Sequence, residues 1–343
     1  MQINVLLNGA TPVELAGCCP FIERAYPVGY VDFLGRAGDP GAALEEVPRD
    51  WDYVVDDERS RDPRQLEFRG LRLYYHAAHR HFRARVHHGT AGSEPPAYRP
   101  HGQLRLELPQ DSRRRAEDTL GQDGVRIALM PGGSSEPSRY PSARSWALIV
   151  DALAPGFPDA SFCLVGKLER DARTSTSASG EDFERIAAAA PRAVPVVDEP
   201  LLDQLAHVEA CDLFMSPHTG FGLAALSVGT PWLTLSGGPW HEWFFNGVPF
   251  YSVIPDTQRY PCFTQIDGPP APVDDDGVLR TPSMTRSRIE EDLPELVEAA
   301  RLLVKRELGY EDALQRYFSR LLEAYDGDRS QIFSFDAIHW SYI

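Results

Sequence analysis

Between Val125 and Leu235, short apolar runs alternate with helical stretches, and this alternation constrains the fold more than any other feature. Val125 to Met130, Ser161 to Val165, Val194 to Val197, Leu213 to Met215 and Trp232 to Leu235 each read as a strand bounded by turn residues. Ser145 to Leu153, Phe183 to Ala190, Leu201 to Glu209 and Gly222 to Val228 read as the helices between them. In the first of these, Trp146, Ile149, Val150 and Leu153 fall on one face at helical spacing. Short, largely apolar strands separated by helices predict an open, mostly parallel α/β sheet covered on both faces.

The flanking regions are read less directly. Ile3 to Leu7 is a strand ending at Asn8-Gly9, Val13 to Ala25 a helical segment, and Tyr53-Val54-Val55 a second strand. The charged stretch Ser112 to Gly124 reads as a linker. The 343 residues therefore divide into an N-terminal domain over 1–120 and a second domain over 121–310. Arg288 to Tyr325 reads as two helices broken at Leu308-Gly309. Residues 311–343 form a final helix and a tail carrying Phe333, Phe335, Trp340 and Tyr342. An exposed aromatic tail is costly, so it is expected to dock, packing back on the N-terminal domain.

The net charge of −16, from 50 acidic and 34 basic residues, argues against nucleic acid as a partner. No N-terminal signal and no transmembrane run are visible, so a cytoplasmic location is expected. Cys18, Cys19, Cys163, Cys211 and Cys262 show no metal-ligand spacing and read as reduced thiols. His76, His79, His81, His87 and His88 are interleaved with Arg80, Arg83 and Arg85, which predicts a polar or acceptor-facing patch rather than a metal site. Neither a metal nor a cofactor is expected.

Two glycine and hydroxyl loops follow strands of the second domain: Pro131-Gly132-Gly133-Ser134-Ser135 and Ser216-Pro217-His218-Thr219-Gly220. Loops at strand carboxyl ends are where ligands bind in open α/β sheets. A helix starting at the second loop would present free N–H groups to phosphate, with Thr219 as a further hydroxyl donor. Arg139 and Arg144 lie just beyond the first loop and can neutralise a diphosphate. Neither loop fits the dinucleotide or Walker patterns.

The second half resembles family 9 glycosyltransferases, which include lipopolysaccharide heptosyltransferases. Met130-Pro131-Gly132-Gly133-Ser134 followed by Ser138-Arg139-Tyr140-Pro141 is similar to that family's Pro-Gly-Ala-Ser turn and Lys-Arg-Trp-Pro motif. His218-Thr219-Gly220, Ala224-Ala225 and Gly229-Thr230-Pro231 follow its later signature, with His218 in place of an Asp and Leu223 in place of a His. Ser236-Gly237-Gly238-Pro239 and Tyr260-Pro261-Cys262 resemble two further family loops. Near the N-terminus, Glu14 stands six residues before Pro20, the spacing of the family's Asp and Pro.

The resemblance implies a GT-B fold, two Rossmann-like domains facing a central cleft. It implies metal-independent, inverting transfer of a hexose or heptose from an ADP-, GDP- or dTDP-linked sugar nucleotide to an acceptor, a small molecule, saccharide or protein. Glu14 then matches the catalytic base. Gly132, Gly133, Ser134, Arg139, Arg144, His218, Thr219 and Gly220 match the donor site, with Glu169 facing the ribose. A sugar-nucleotide epimerase of the same architecture and a non-catalytic sugar-nucleotide-binding protein stay open as alternatives.

Overall fold

The computed structural model describes residues 2–9, 11–28, 42, 44–56, 67, 69–82, 86–88, 104–121, 123–169, 176–235, 246–254, 273–332 and 342. The chain forms two compact units, Met1–Tyr98 and Arg99–Ile343.

In the first unit, β1 (Ile3–Asn8) pairs in parallel with β2 (Ile22–Val28), and α1 (Glu14–Gly17) lies between them. The helix expected over Val13 to Ala25 is thus a single turn. Cys18 to Phe21 form a bend, and the chain then extends, burying Tyr26 and Val28 on either side of exposed Pro27. Two short strands, β3 (Val54–Asp56) and β4 (Val86–His88), also pair in parallel. Between them runs α2 (Arg69–His81), a helix in the histidine-rich stretch. It buries Ala77 and Ala78 against Tyr26, Val28, Leu44 and Val47. His76 and His79 face outward. His81 is used structurally, its Nε2 donating to the Val47 carbonyl at 2.7 Å. The side chains of His87 and His88 lie outside the described residues.

The second unit opens with a correction. Most of the expected linker is the helix α3 (Gln110–Leu120). Within its charged sequence, Ser112, Ala116 and Leu120 recur every fourth residue and are buried. Arg113 reaches Glu209 through two bonds of 2.7 and 2.8 Å. The charges therefore cover one face and dock another, a pattern that composition alone reads as a linker.

A six-stranded parallel sheet follows, built from β5 (Arg126–Leu129), β6 (Ser161–Leu164), β7 (Arg192–Pro195), β8 (Leu213–Pro217), β9 (Trp232–Leu235) and β10 (Phe250–Ser252). The helices are α4 (Ala143–Leu153), α5 (Gly180–Ala189), α6 (Leu201–Glu209), α7 (Gly220–Ala225), α8 (Arg286–Val304) and α9 (Tyr310–Ala324). The central strands β6, β8 and β9 are buried along their whole length, as a sheet covered on both faces requires. In α4 the four residues read from the sequence, Trp146, Ile149, Val150 and Leu153, are all buried.

The strand order is β10-β9-β8-β5-β6-β7. The chain builds outward from β5 to β7, then returns to the other side of β5 and builds outward again. The reversal places β5 beside β8, with Leu129 opposite Met215. This is the switch point of a doubly wound sheet, the place where connections leave in opposite directions and open a crevice at the strand ends.

The tail from 333 to 341 lies outside the described residues; Tyr342 stacks on Phe318 of α9 at 6.0 Å and donates to Glu311. Among the described residues no helix is long and apolar enough to cross a membrane.

Candidate functional site

Both glycine loops leave the sheet at the switch point, and they touch. A Cβ on Gly133 would stand 2.9 Å from Thr219 Cγ2, closer than side chains pack. Only a hydrogen at that position lets the two strand ends close up.

The first loop is held from outside. Trp146 Nε1 donates to the Pro131 carbonyl at 2.8 Å, and Thr176 Oγ1 to that of Gly132 at 3.0 Å. The Ser177 N–H donates to the Gly133 carbonyl at 2.7 Å. The Tyr140 hydroxyl accepts the Ser135 N–H at 3.2 Å. Burial raises the Tyr140 phenol above its ordinary value, while the Ser135 N–H and the Arg139 charge oppose that rise.

The second loop is closed by its own residue. Thr219 is the N-cap of α7 and its Oγ1 accepts the Gly222 N–H at 2.9 Å. The hydroxyl expected as a ligand donor is therefore occupied as a cap, with Met130 Sδ at 3.7 Å on its donating side. Gly220 meets nothing within 4 Å where a Cβ would stand, so a ligand can approach its backbone. Because α7 has six residues, its dipole is weaker than that of a full-length helix. Local N–H groups matter more. Those of Gly132, Ser134, Gly220 and Phe221 have no acceptor among the described residues. All four belong to the two touching loops, an arrangement suited to an anion.

His218 sits at the carboxyl end of β8, its ring centroid 5.5 Å from that of Trp232. Part of the residue reaches solvent, but both ring nitrogens are buried. Burial lowers its pKa to about 3, so the imidazole is neutral near pH 7. Where the resemblance expects a carboxylate, this chain places an uncharged ring.

The other residues selected from the sequence lie on other segments. Arg139 is half-buried in a 3-10 turn (Pro137–Arg139) that follows the first loop. Arg144 is exposed and donates to the Asp275 carbonyl at 2.8 Å, so its guanidinium is committed to another segment. The Glu169 carboxylate is exposed, with Lys167 Nζ at 3.8 Å. Its backbone N–H and that of Leu168 donate to Asp198 Oδ1 at 2.9 and 2.8 Å. Glu14 belongs to the first unit, at the start of α1, and its charge adds to burial in raising the Cys18 thiol. The Ser236-Gly237-Gly238-Pro239 and Tyr260-Pro261-Cys262 loops lie outside the described residues.

Sequence reasoning missed three residues that shape the site. Tyr140 and Arg280 support the first loop. Gln204 bonds both the N–H and the carbonyl of Gly166, at 3.0 and 3.1 Å, where β6 ends. A glutamine on the buried side of a helix was a readable signal. Arg280 had none beyond the neighbouring Asp274-Asp275-Asp276 run. That acidic triad is the group of possible metal ligands found among the described residues. Arg280 pairs with Asp274 and Asp276, and Arg286 with Asp275, so each carboxylate already has an arginine partner.

A cavity of about 180 Å³ opens beside the first loop, between Pro131, Tyr140, Ser142, Trp146, Ser177 and Arg280. Small-molecule sites run from roughly 300 to 1,000 Å³. The cavity can therefore take a fragment of a nucleotide ligand, not the whole.

Among solved structures, the chain is similar to a family 9 glycosyl transferase from Veillonella parvula. The identity is 12 %, the coverage 89 % of this chain and 88 % of that one, and the TM-score 0.55. It is also similar to the E. coli ADP-heptose lipopolysaccharide heptosyltransferase II, at 14 % identity, 88 % and 90 % coverage and a TM-score of 0.50. The fold is GT-B. Neither a family model nor a curated protein sequence matches the chain. At these identities the likeness is one of architecture. In this GT-B chain the six-stranded unit carries both loops of the candidate site.

Proposed function

We propose that the chain is an inverting glycosyltransferase. In this reading it moves a sugar, a hexose or heptose, from a nucleoside diphosphate to an acceptor hydroxyl without a metal ion. The observation that carries it is the seam at Gly133 and Thr219, where two loops with free N–H groups meet at the switch point. The GT-B fold, shared with chains described as glycosyltransferases, supports the same reading.

The chemistry follows from charge. As the acceptor oxygen attacks the anomeric carbon, the bond from that carbon to the diphosphate oxygen breaks. Negative charge then gathers on the leaving diphosphate. The N–H groups of Gly132, Ser134, Gly220 and Phe221 stabilise it, and Arg139 supplies a full positive charge. Glu14 takes the acceptor proton. One displacement inverts the anomeric centre. The neutral His218 ring puts no negative charge beside the diphosphate, where the family's carboxylate would place one.

The experiment is a thermal-shift screen of ADP, GDP and dTDP, then product mass with the corresponding sugar nucleotides. A ligand that binds only the folded state raises its melting temperature. The reading expects one nucleoside diphosphate to do so, Arg139→Ala to abolish the shift, and Glu14→Gln to stop turnover while leaving the shift intact. A product that keeps its nucleotide would mean epimerisation. No shift with any of the three would sink the donor assignment.

A further inference from the structure

Arg280 is buried, with 3 % of its surface exposed. Its Nη1 donates to the carbonyls of Pro137 at 2.8 Å and Tyr140 at 2.6 Å. Its Nε donates to Asp274 at 3.0 Å, and its Nη2 pairs with Asp276. The next residue, Thr281, donates its N–H to the Ser138 carbonyl at 2.8 Å. Three carbonyls of the segment 137–140 are thus gripped by two adjacent residues. The grip is anchored in turn, because Asp274 Oδ1 accepts the Arg286 N–H at the start of α8 at 2.9 Å.

What this clamp holds is Tyr140. The ring is buried and lies 3.2 Å from where a Cβ of Gly132 would be. Its hydroxyl lies 3.0 Å from the corresponding point on Gly133 and accepts the Ser135 N–H. A shift of Tyr140 would move a wall of the loop that carries the Gly132 and Ser134 N–H groups.

The geometry points to Arg280 as the positioning residue of this site: it fixes the Tyr140 backbone, and Tyr140 sets the shape of the Gly132 to Ser135 loop. The identity of the ligand rests on the function proposed above; the clamp does not. A planar guanidinium can reach two carbonyls and two carboxylates at once, whereas one ammonium cannot match that fork.

The test is amide hydrogen exchange on the full chain, with calorimetric titration of ADP and of pyrophosphate, for Arg280→Met, Arg280→Lys and Tyr140→Phe. A merely structural arginine would loosen the sheet and the loop together. Positioning predicts that the Ser135 amide, bonded to the Tyr140 hydroxyl, exchanges about tenfold faster in Arg280→Met, while those of Ala128 and Cys163 stay protected. ADP affinity falls by about tenfold, the loss expected when a displaced loop N–H no longer bonds the diphosphate. Arg280→Lys is intermediate. Tyr140→Phe, with the clamp intact, shows the same loop loosening in weaker form. Wild-type loop exchange in a folded Arg280→Met overturns the proposal. If that variant does not fold, wild-type loop exchange in both Arg280→Lys and Tyr140→Phe overturns it. A loosened loop in a chain that binds neither ADP nor pyrophosphate upholds the clamp and removes the diphosphate reading.

Discussion

After β8 the chain turns within a few residues, and Thr219 closes the turn on Gly222, three positions ahead, at 2.9 Å. After β5 the chain also turns on small residues, but every bond that holds it comes from elsewhere. Tyr140 is five residues on from Ser135, Trp146 is fifteen from Pro131 and Thr176 is forty-four from Gly132. Arg280, which holds Tyr140, is 140 residues further along. One loop is a local device and the other is a product of the finished fold. They should fail differently, the second loop on its own and the first together with its surroundings.

The largest effect is expected at Trp146. It is 1 % exposed, and Trp146→Ala should cost about 3–5 kcal/mol, measured by urea unfolding. Trp146→Phe keeps most of the packing but removes the donor to the Pro131 carbonyl, and should cost roughly 1–3 kcal/mol. A smaller loss in Trp146→Ala than in Trp146→Phe would break the claim that the first loop is fastened through this side chain.

Next comes the seam. A methyl group on Gly133 would sit 2.9 Å from Thr219 Cγ2 and 3.0 Å from the Tyr140 hydroxyl. Gly133→Ala should cost up to about 3 kcal/mol through overpacking. Thr219→Ser removes Cγ2 and keeps the capping oxygen, so the double variant should regain part of that loss. Full additivity of the two substitutions would mean that the loops do not press on each other.

His218 gives the comparison a pH axis. The unfolded chain takes up the proton as the pH falls below about 6.5, whereas the folded chain holds it off until about 3. Unfolding is therefore favoured progressively as the pH drops from 6.5 toward 3. The loss should reach about 2 kcal/mol by pH 5. His218→Gln should flatten stability between pH 7 and pH 5. An unchanged slope would place the acid-sensitive group elsewhere.

The same contrast explains what could be read in advance. Strands β5, β6, β8 and β9 declare themselves because burial on both faces makes them predominantly apolar. The turns after β5 and β8 declare themselves because close approach demands glycine. Helix α3 did not, since Ser112, Ala116 and Leu120 are thin evidence among so many charges. Nor did β2, because Val13 to Ala25 could be read as one longer helix; parallel pairing with β1 makes Ile22–Val28 a strand. Arg280 was illegible for the reason its clamp is effective: its partners are far away in sequence, and no local pattern marks a residue whose role exists only after folding.

The smallest expected effect tests the local loop. Thr219→Ala removes the capping oxygen and leaves the Gly222 N–H without its acceptor, which should cost about 1 kcal/mol. Thr219→Ser should cost less, because the hydroxyl remains. The size is modest because a six-residue helix has little to lose and Trp232, packed against Gly222, still holds it to the sheet. Combining Thr219→Ala with Tyr140→Phe sharpens the point. Both residues border Gly133, so substitutions that merely removed separate bonds would add to within about 0.5 kcal/mol. A larger deviation would mean that the two loops share the energy of their contact, so that neither the locally capped turn nor the clamped one holds its shape alone.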